Sequence, residues 1–187
     1  VVAQAQMLAA KEVKEIVLTG VNLGDFGKPE ADGRQEPENF HQLCLALDEV
    51  EGIDRYRISS IEPNLLTPEI ISFVANSERF MPHFHIPLQS GSNKILGLMR
   101  RRYQRELYAD RVQMIKKVMS HCAIGVDVIT GFPSENDTDF TETFDFLHSL
   151  DISYLHVFTY SERDNTRALD IKPVVPVSVR QERNKVL

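Results

Sequence analysis

Five short apolar runs, rich in β-branched and aromatic residues, recur along this chain at 15–20 (EIVLTG), 55–60 (RYRISS), 84–88 (FHIPL), 124–130 (IGVDVIT) and 154–160 (YLHVFTY). Between them lie stretches of helical period at 38–50, 67–77, 92–100 continuing through 104–120, and 137–149. Short apolar runs bounded by polar punctuation read as strands, and the longer periodic stretches as helices. This alternation constrains the topology. Strands separated by a whole helix cannot form hairpins; the crossover returns the chain parallel to its predecessor, with right-handed connection. At about 30–40 residues per repeat, each strand and helix has the size of one βα unit. The expected class is α/β with parallel strands.

Start signals mark several helices. Pro37 precedes the first, Thr67-Pro68-Glu69 opens the next, and Asp137 with Thr138 begins another. The segment Gly24 to Pro37 (GDFGKPEADGRQEP) reads as a mobile insertion. The chain opens inside an amphipathic helical pattern (VVAQAQMLAAK) and ends inside another (VSVRQERNKVL), so it reads as a fragment of a larger protein. Its 187 residues suit one substantial domain, and no run approaches the roughly 18 apolar residues that a spanning helix needs. A cytoplasmic location is expected. Cys44 and Cys122 have no CxxC spacing, which excludes a disulfide framework or a local metal knuckle and leaves two buried thiols.

The strand ends carry the functional signal. In order they read Thr19-Gly20-Val21-Asn22, Ser59-Ser60-Ile61-Glu62-Pro63, Gln89-Ser90-Gly91-Ser92, Thr130-Gly131-Phe132-Pro133, and Tyr160-Ser161-Glu162-Arg163. Parallel α/β folds bind ligands beyond the carboxyl ends of their strands. Small residues let a ligand approach the backbone, and hydroxyls, amides and carboxylates satisfy its polar edges. Five such ends together predict a shared binding face. No GxGxxG follows any strand, which weighs against a dinucleotide-binding sheet, and five strands are too few for an eight-stranded barrel. A partial barrel fits better.

Other constellations compete for the chemistry. His83 and His85 form an HxH on one strand face, the opening of a metal-dependent hydrolase barrel, although no supporting His or Asp follows at a later strand end. No metal site is therefore assigned. Arg100, Arg101 and Arg102 follow a helix, and neighbours at helical angles cannot all face one way. One can reach inward to a carboxylate while the others meet phosphate or solvent. The net charge of −6 excludes a chain that coats nucleic acid over its whole surface, yet permits this local basic site. Asp127 lies mid-strand, where an unpaired carboxylate is costly, so it pairs with a polar or cationic group. A non-catalytic RNA-binding module is a third reading.

The strings EIVLTGVNLGDFG, ISSIEP, HIPLQSGSNKILGLMRRRY, GVDVITGFPSE and FTYSERDNTRA resemble, in order and over nearly the whole chain, landmarks of the methylthiotransferase branch of radical S-adenosylmethionine (SAM) enzymes. LTGVNLGDFG with FTYSERDNT is most similar to the MtaB-like type, which acts on threonylcarbamoyladenosine beside the tRNA anticodon. The resemblance implies a partial parallel (βα)6 TIM-like barrel, truncated at its N-terminal side with about five βα units present. It implies residues 1–187 as a radical SAM core fragment, without the CxxxCxxC loop, the amino-terminal domain or the RNA-gripping TRAM domain. It implies SAM and 4Fe-4S clusters as cofactors of the parent enzyme, tRNA (the anticodon stem-loop) as partner, and no catalytic residue within the fragment.

Residue by residue, the resemblance places Thr19, Gly20 and Asn22 at the methionine amino group, with Ser60 and Glu62 on the next strand end. Gln89 and Ser90 approach the ribose or methionyl end, and Arg101 matches a recurrent arginine. Asp127, Ile129 and Gly131 flank the adenine, the glycine giving clearance, while Tyr160 and the backbone of Val157 to Thr159 edge it. Arg100, Arg102, Arg163, Asn165 and Thr166 are the implied substrate contacts.

Overall fold

In the computed structural model, residues 1–27 and 39–187 are described. In chain order they form α1 (Val2–Ala9), β1 (Glu15–Leu18), α2 (Phe40–Asp48), β2 (Arg55–Ile58), α3 (Pro68–Asn76), β3 (His83–His85) and α4 (Asn93–Leu98). There follow α5 (Arg105–Val118), β4 (Ala123–Thr130), α6 (Asp137–His148), β5 (Tyr154–Thr159) and α7 (Val177–Val186). Short 3-10 turns occupy Leu23–Asp25 and Arg167–Asp170. The chain divides into two compact units, one of Val1–Ile86 with Met114–Ala123, the other of Pro87–Gln113 with Ile124–Leu187.

In the first unit β1 and β2 pair in parallel, Glu15 opposite Arg55 and Leu18 opposite Ile58. The pair is extended in parallel past β2, where the Tyr56 N–H donates to the Arg79 carbonyl (2.8 Å) and the Met81 N–H to the Tyr56 carbonyl (2.9 Å). Tyr56 is fully buried and stacks on Phe80 at 5.1 Å. Leu43, Cys44 and Leu47 of α2 and Ile70, Ile71 and Val74 of α3 complete this core at helical spacing. Thr67 caps α3 with Pro68 in its first turn, as the sequence predicts. The cap of α2 is Asn39, in a reciprocal box with Gln42; Pro37 lies outside the described residues. The expected insertion over Gly24 to Pro37 also lies outside them, save its first residues. There a Cβ on Gly24 would stand 2.4 Å from that of Leu65, so this part is packed rather than looped out.

In the second unit β4 and β5 pair in parallel from Gly125 opposite Tyr154 to Thr130 opposite Thr159. Gln89 runs alongside in parallel, its N–H donating to the Asp127 carbonyl (2.8 Å) and its carbonyl accepting from Ile129 (2.9 Å). Three chain segments thus end side by side at Gln89, Thr130 and Thr159. The strand expected over 84–88 stops at His85, and Pro87, which has no N–H to give a ladder, stands between it and Gln89. The helix expected over 92–100 ends at Leu98, and Arg100 takes a left-handed φ of 57°. Asn136 caps α6, one residue before the expected start, in a box with Asp139. The α/β class with parallel strands is borne out in both units.

Both cysteines are free and buried in the first unit. Burial pushes the Cys44 thiol up to about 12 and the Cys122 thiol to about 11. Among the described residues no helix is long and apolar enough to cross a membrane.

Candidate functional site

The second unit contains a cavity of about 860 Å³ beyond the carboxyl ends of β4 and β5, near the upper end of the roughly 300–1,000 Å³ usual for ligand sites. Its lining includes the apolar or aromatic Ile129, Phe132, Phe158 and Tyr160. It also includes four arginines, Arg100, Arg101, Arg163 and Arg167.

The apolar part of the lining is held by the strand register. Ile129 sits opposite Phe158 in the ladder, and the Tyr160 N–H donates to the Thr130 carbonyl (2.9 Å). Phe132 and Tyr160 meet edge to face at 5.3 Å. The Tyr160 hydroxyl is buried with no hydrogen-bond partner among the described residues. Burial raises its pKa, and Glu162 adds to the rise. Asp127 also lines the cavity, and its Oδ1 lies 3.2 Å from Nδ1 of the exposed His156, the polar partner the sequence predicts for it.

Against these residues stands α7. Arg180 is 2 % exposed; its Nε donates to the Val175 carbonyl (2.7 Å) and its Nη1 to the Tyr160 carbonyl (2.9 Å). Nη1 and Nη2 also reach the Glu162 carboxylate at 3.0 and 2.5 Å. The guanidinium lies 5.2 Å from the centre of the Tyr160 ring. Hydrogen bonding to Arg180 holds Glu162 down at about 2. Arg183 pairs with the buried Glu135 (2.6 Å) and with Asp137 (2.7 Å). Burial nevertheless raises the Glu135 carboxyl, against the opposing Gly131 N–H and Arg183. Sequence reasoning missed both arginines, which look like an ordinary solvated helix face.

Gln89, Arg101, Asp127, Ile129, Tyr160, Arg100, Arg163 and Thr166 are brought together on this one cavity. Ser90 is not. It is 1 % exposed, with its hydroxyl 3.2 Å from that of Thr143. The Gly91 N–H donates to the same Thr143 hydroxyl (3.0 Å), and Ser92 to Asp139 (3.0 Å). A Cβ on Gly91 would lie 2.7 Å from the Thr143 Cα. Ser90 to Ser92 therefore dock α4 against α6. Burial works against the Asp139 carboxylate, but the Asn136 N–H, Lys94 and Ser92 leave it below the ordinary range. The clearance at Gly131, whose φ is +74°, is filled by the Arg180 side chain, with Cγ at 2.2 Å from where a Cβ would stand.

The Val157 carbonyl accepts from Asn184 (3.0 Å) and is thereby used by α7. Arg102 is exposed and off the cavity, and Asn165 turns the chain at φ 62° beside it in sequence without lining it. Thr19, Gly20, Asn22, Ser60 and Glu62 belong to the first unit, the cavity wholly to the second. There Thr19 and Gly20 are exposed, and Asn22 donates to Asp25 (2.7 Å). Ser60 is half-buried, and the Glu62 carbonyl accepts from Leu65 and Leu66 (2.9 and 3.0 Å). Phe132 and Arg167 line the cavity without having been singled out, and Phe158, expected to contribute its backbone, lines it as well. Phe132 lies inside the conspicuous GFPSE string, and Arg167 four residues beyond Arg163, which were the available signals.

Parallel strands ending on a cavity lined by aromatic, aliphatic and arginine side chains are the arrangement in which α/β proteins offer a ligand site. The chain belongs to the radical SAM superfamily, whose family model matches residues 1–147. It is similar to the threonylcarbamoyladenosine tRNA methylthiotransferase MtaB of Aquifex aeolicus, at 41 % identity over 100 % of this chain and 44 % of that one. It is also similar to the tRNA-2-methylthio-N(6)-dimethylallyladenosine synthase of Caldicellulosiruptor saccharolyticus, at 36 % identity over 98 % of this chain and 38 % of that one. The chain thus spans about two fifths of the length of these curated relatives. Among solved structures, the coproporphyrinogen III oxidase HemN of Escherichia coli, a radical SAM enzyme, superposes with TM-score 0.71 at 15 % identity. That match covers 98 % of this chain and 43 % of the other, and shows a shared fold.

The family implies SAM and a 4Fe-4S cluster. The cavity fits the first: Ile129, Phe132 and Phe158 would offer apolar surface to a flat ring, and the unpartnered Tyr160 hydroxyl a polar group for its edge. The cysteines do not fit the second. Clusters take exposed thiolates in groups, whereas Cys44 and Cys122 are both buried and protonated.

Proposed function

We propose that this chain is the cofactor- and nucleoside-holding part of a cytoplasmic enzyme that adds a methylthio group to N6-modified adenosine in tRNA, with threonylcarbamoyladenosine beside the anticodon as the target. The observation that carries this reading is the cavity at the ends of β4 and β5, lined by both aromatic and arginine side chains. Its support is the similarity, along the chain's whole length, to relatives named for that activity. SAM supplies the radical and the methyl group when bound, and the cluster cysteines come from outside this chain. Within the cavity Ile129 and Tyr160 hold the adenosyl ring and Gln89 and Arg101 its polar end, while Arg100, Arg163 and Thr166 face substrate. For Thr19, Gly20, Asn22, Ser60 and Glu62 a cofactor role rests on the family resemblance alone.

Saturation-transfer NMR with the 187-residue chain and S-adenosylhomocysteine tests the reading. The adenine protons should receive transfer from the protein, weakly, since no cluster holds the amino-acid end. Ile129→Asp, which puts a carboxylate against the ring, should abolish it while the circular dichroism stays that of the parent. No transfer in the parent protein, or transfer indifferent to Ile129→Asp, refutes the assignment of this cavity.

A further inference from the structure

Four of the nine arginines of the second unit sit beside a carboxylate. Arg105 lies 3.8 Å from Glu142, Arg111 pairs with Asp110, Arg180 with Glu162, and Arg183 with Glu135 and Asp137. Arg100, Arg163 and Arg167 differ. Each is exposed, none makes an ion pair with another described residue, and all three line the same cavity. With Arg101 the cavity carries four guanidiniums against one carboxylate, Asp127, a formal +3 in a chain whose net charge is −6. Like charges gathered round one space repel each other and cost stability unless an anion shares the space. Their backbone setting is also particular. Arg100 holds a left-handed φ of 57° just past α4, and Arg163 and Arg167 flank a turn closed by the Thr166 hydroxyl donating to the Arg163 carbonyl (2.8 Å). Arg163 was singled out by its loop; Arg167 was not.

The two groups of relatives act on adenosines that differ at N6. A threonylcarbamoyl group ends in a free carboxylate, whereas a dimethylallyl group is an uncharged hydrocarbon. An apolar N6 substituent would gain nothing from three guanidiniums. A carboxylate matches their fork geometry and can be gripped by two of them at once. We propose that Arg163 and Arg167, with Arg100 beside them, read the carboxylate of the substrate's N6 substituent and so set this protein's choice between the two kinds of adenosine. This rests on the proposed nucleoside cavity and adds the residues that discriminate.

The test uses the 187-residue chain and three nucleosides: threonylcarbamoyladenosine, its methyl ester, and dimethylallyladenosine, with S-adenosylhomocysteine as an independent occupant. Affinities come from saturation-transfer titration at low ionic strength. The free acid should bind at least about tenfold tighter than the ester, the scale of one charge-assisted hydrogen bond in a partly exposed site. Arg163→Ala and Arg167→Ala should each erase most of that ratio, and Arg167→Lys should restore part of it. S-adenosylhomocysteine binding should be unchanged in all of them, and a shift in it would mean that the variants deform the cavity at large and overturn the assignment. Equal affinity for acid and ester, with S-adenosylhomocysteine still bound, overturns the inference and leaves the cavity reading standing. Absence of all four ligands overturns both.

Discussion

Gly131→Ala tests whether α7 and the end of β4 form one packed assembly. At φ +74° an alanine pays for a left-handed backbone, about 1–2 kcal/mol. Its Cβ would also lie 2.2 Å from the Arg180 Cγ, 2.8 Å from its Cβ and 3.1 Å from its Cδ. A flexible surface side chain would swing aside, but Arg180 is fixed by bonds to the Val175 and Tyr160 carbonyls and to Glu162. Overpacking of this kind adds about 1–3 kcal/mol. The expected loss is about 2–5 kcal/mol, a large part of the roughly 5–15 kcal/mol that holds a domain together. Urea unfolding followed by circular dichroism measures it. A double-mutant cycle with Arg180→Ala separates much of the packing cost from the strain, because removing Cγ and Cδ relieves two of the three close approaches and leaves the 2.8 Å approach of the Arg180 Cβ with the backbone strain. The two substitutions should therefore couple by about 1 kcal/mol or more, the double variant being more stable than the sum predicts. A loss below about 1 kcal/mol for Gly131→Ala, or additivity within about 0.5 kcal/mol, would refute the packing argument.

Gly125→Ala should also be strongly destabilising in the same assay, since a Cβ there would stand 2.1 Å from the Tyr154 ring on the facing strand, whereas Gly97→Ala, with nothing within 4 Å, should be neutral or slightly stabilising. The Glu162–Arg180 pair gives a pH dependence. Because folding lowers Glu162 from 4.5 to about 2, its contribution is complete above 4.5 and is lost as pH falls from there towards 2. The gap in urea midpoint between the parent and Glu162→Gln should close over that window; a gap unchanged down to pH 2.5 would exclude the pair as its source. The two thiols should resist a disulfide reagent at pH 8 in the folded protein and react fully in denaturant, as burial with pKa values of about 12 and 11 requires. Prompt reaction of either thiol before unfolding would count against that burial.

The βα plan was legible because it depends on local period: β1, β2, β4 and β5 and the helices between them fall within a few residues of the apolar runs that predict them. The site was legible only in part, and Gln89 to Ser92 show why. A strand end rich in small polar residues has two physical uses, to meet a ligand or to let a helix approach, and both select the same residue types. Gln89, at a left-handed φ of 70°, lines the cavity where a ligand would be met. Ser90 to Ser92 take the second, through partners on α6 about 50 positions away. No local pattern separates them, because the deciding atoms belong to Thr143 and Asp139. Gly131 repeats the ambiguity. Its need for space is plain in the sequence, and what fills the space, Arg180, is not.

Arginine serves two opposite purposes in the second unit, and the contrast explains how an acidic chain can present a basic site. Arg180 and Arg183 are nearly fully buried and paired with Glu162 and with Glu135 and Asp137, so their charges are neutralised where they stand. The Arg183–Glu135 pair is buried on both sides and so costly to break, and each buried guanidinium contributes little net charge to the outside. Such arginines behave as struts that fix Tyr160, Glu135 and the Gly131 turn. Arg100, Arg163 and Arg167 lie on mobile-length side chains at turns, where solvent can carry their charge until a ligand arrives. Surface pairing would have quenched them, and two of the unit's acidic residues are taken up by other cations, Asp139 by Lys94 and Asp110 by Arg111. In the cavity lining four arginines stand against the single carboxylate of Asp127, a local excess of positive charge in a chain whose net charge is −6.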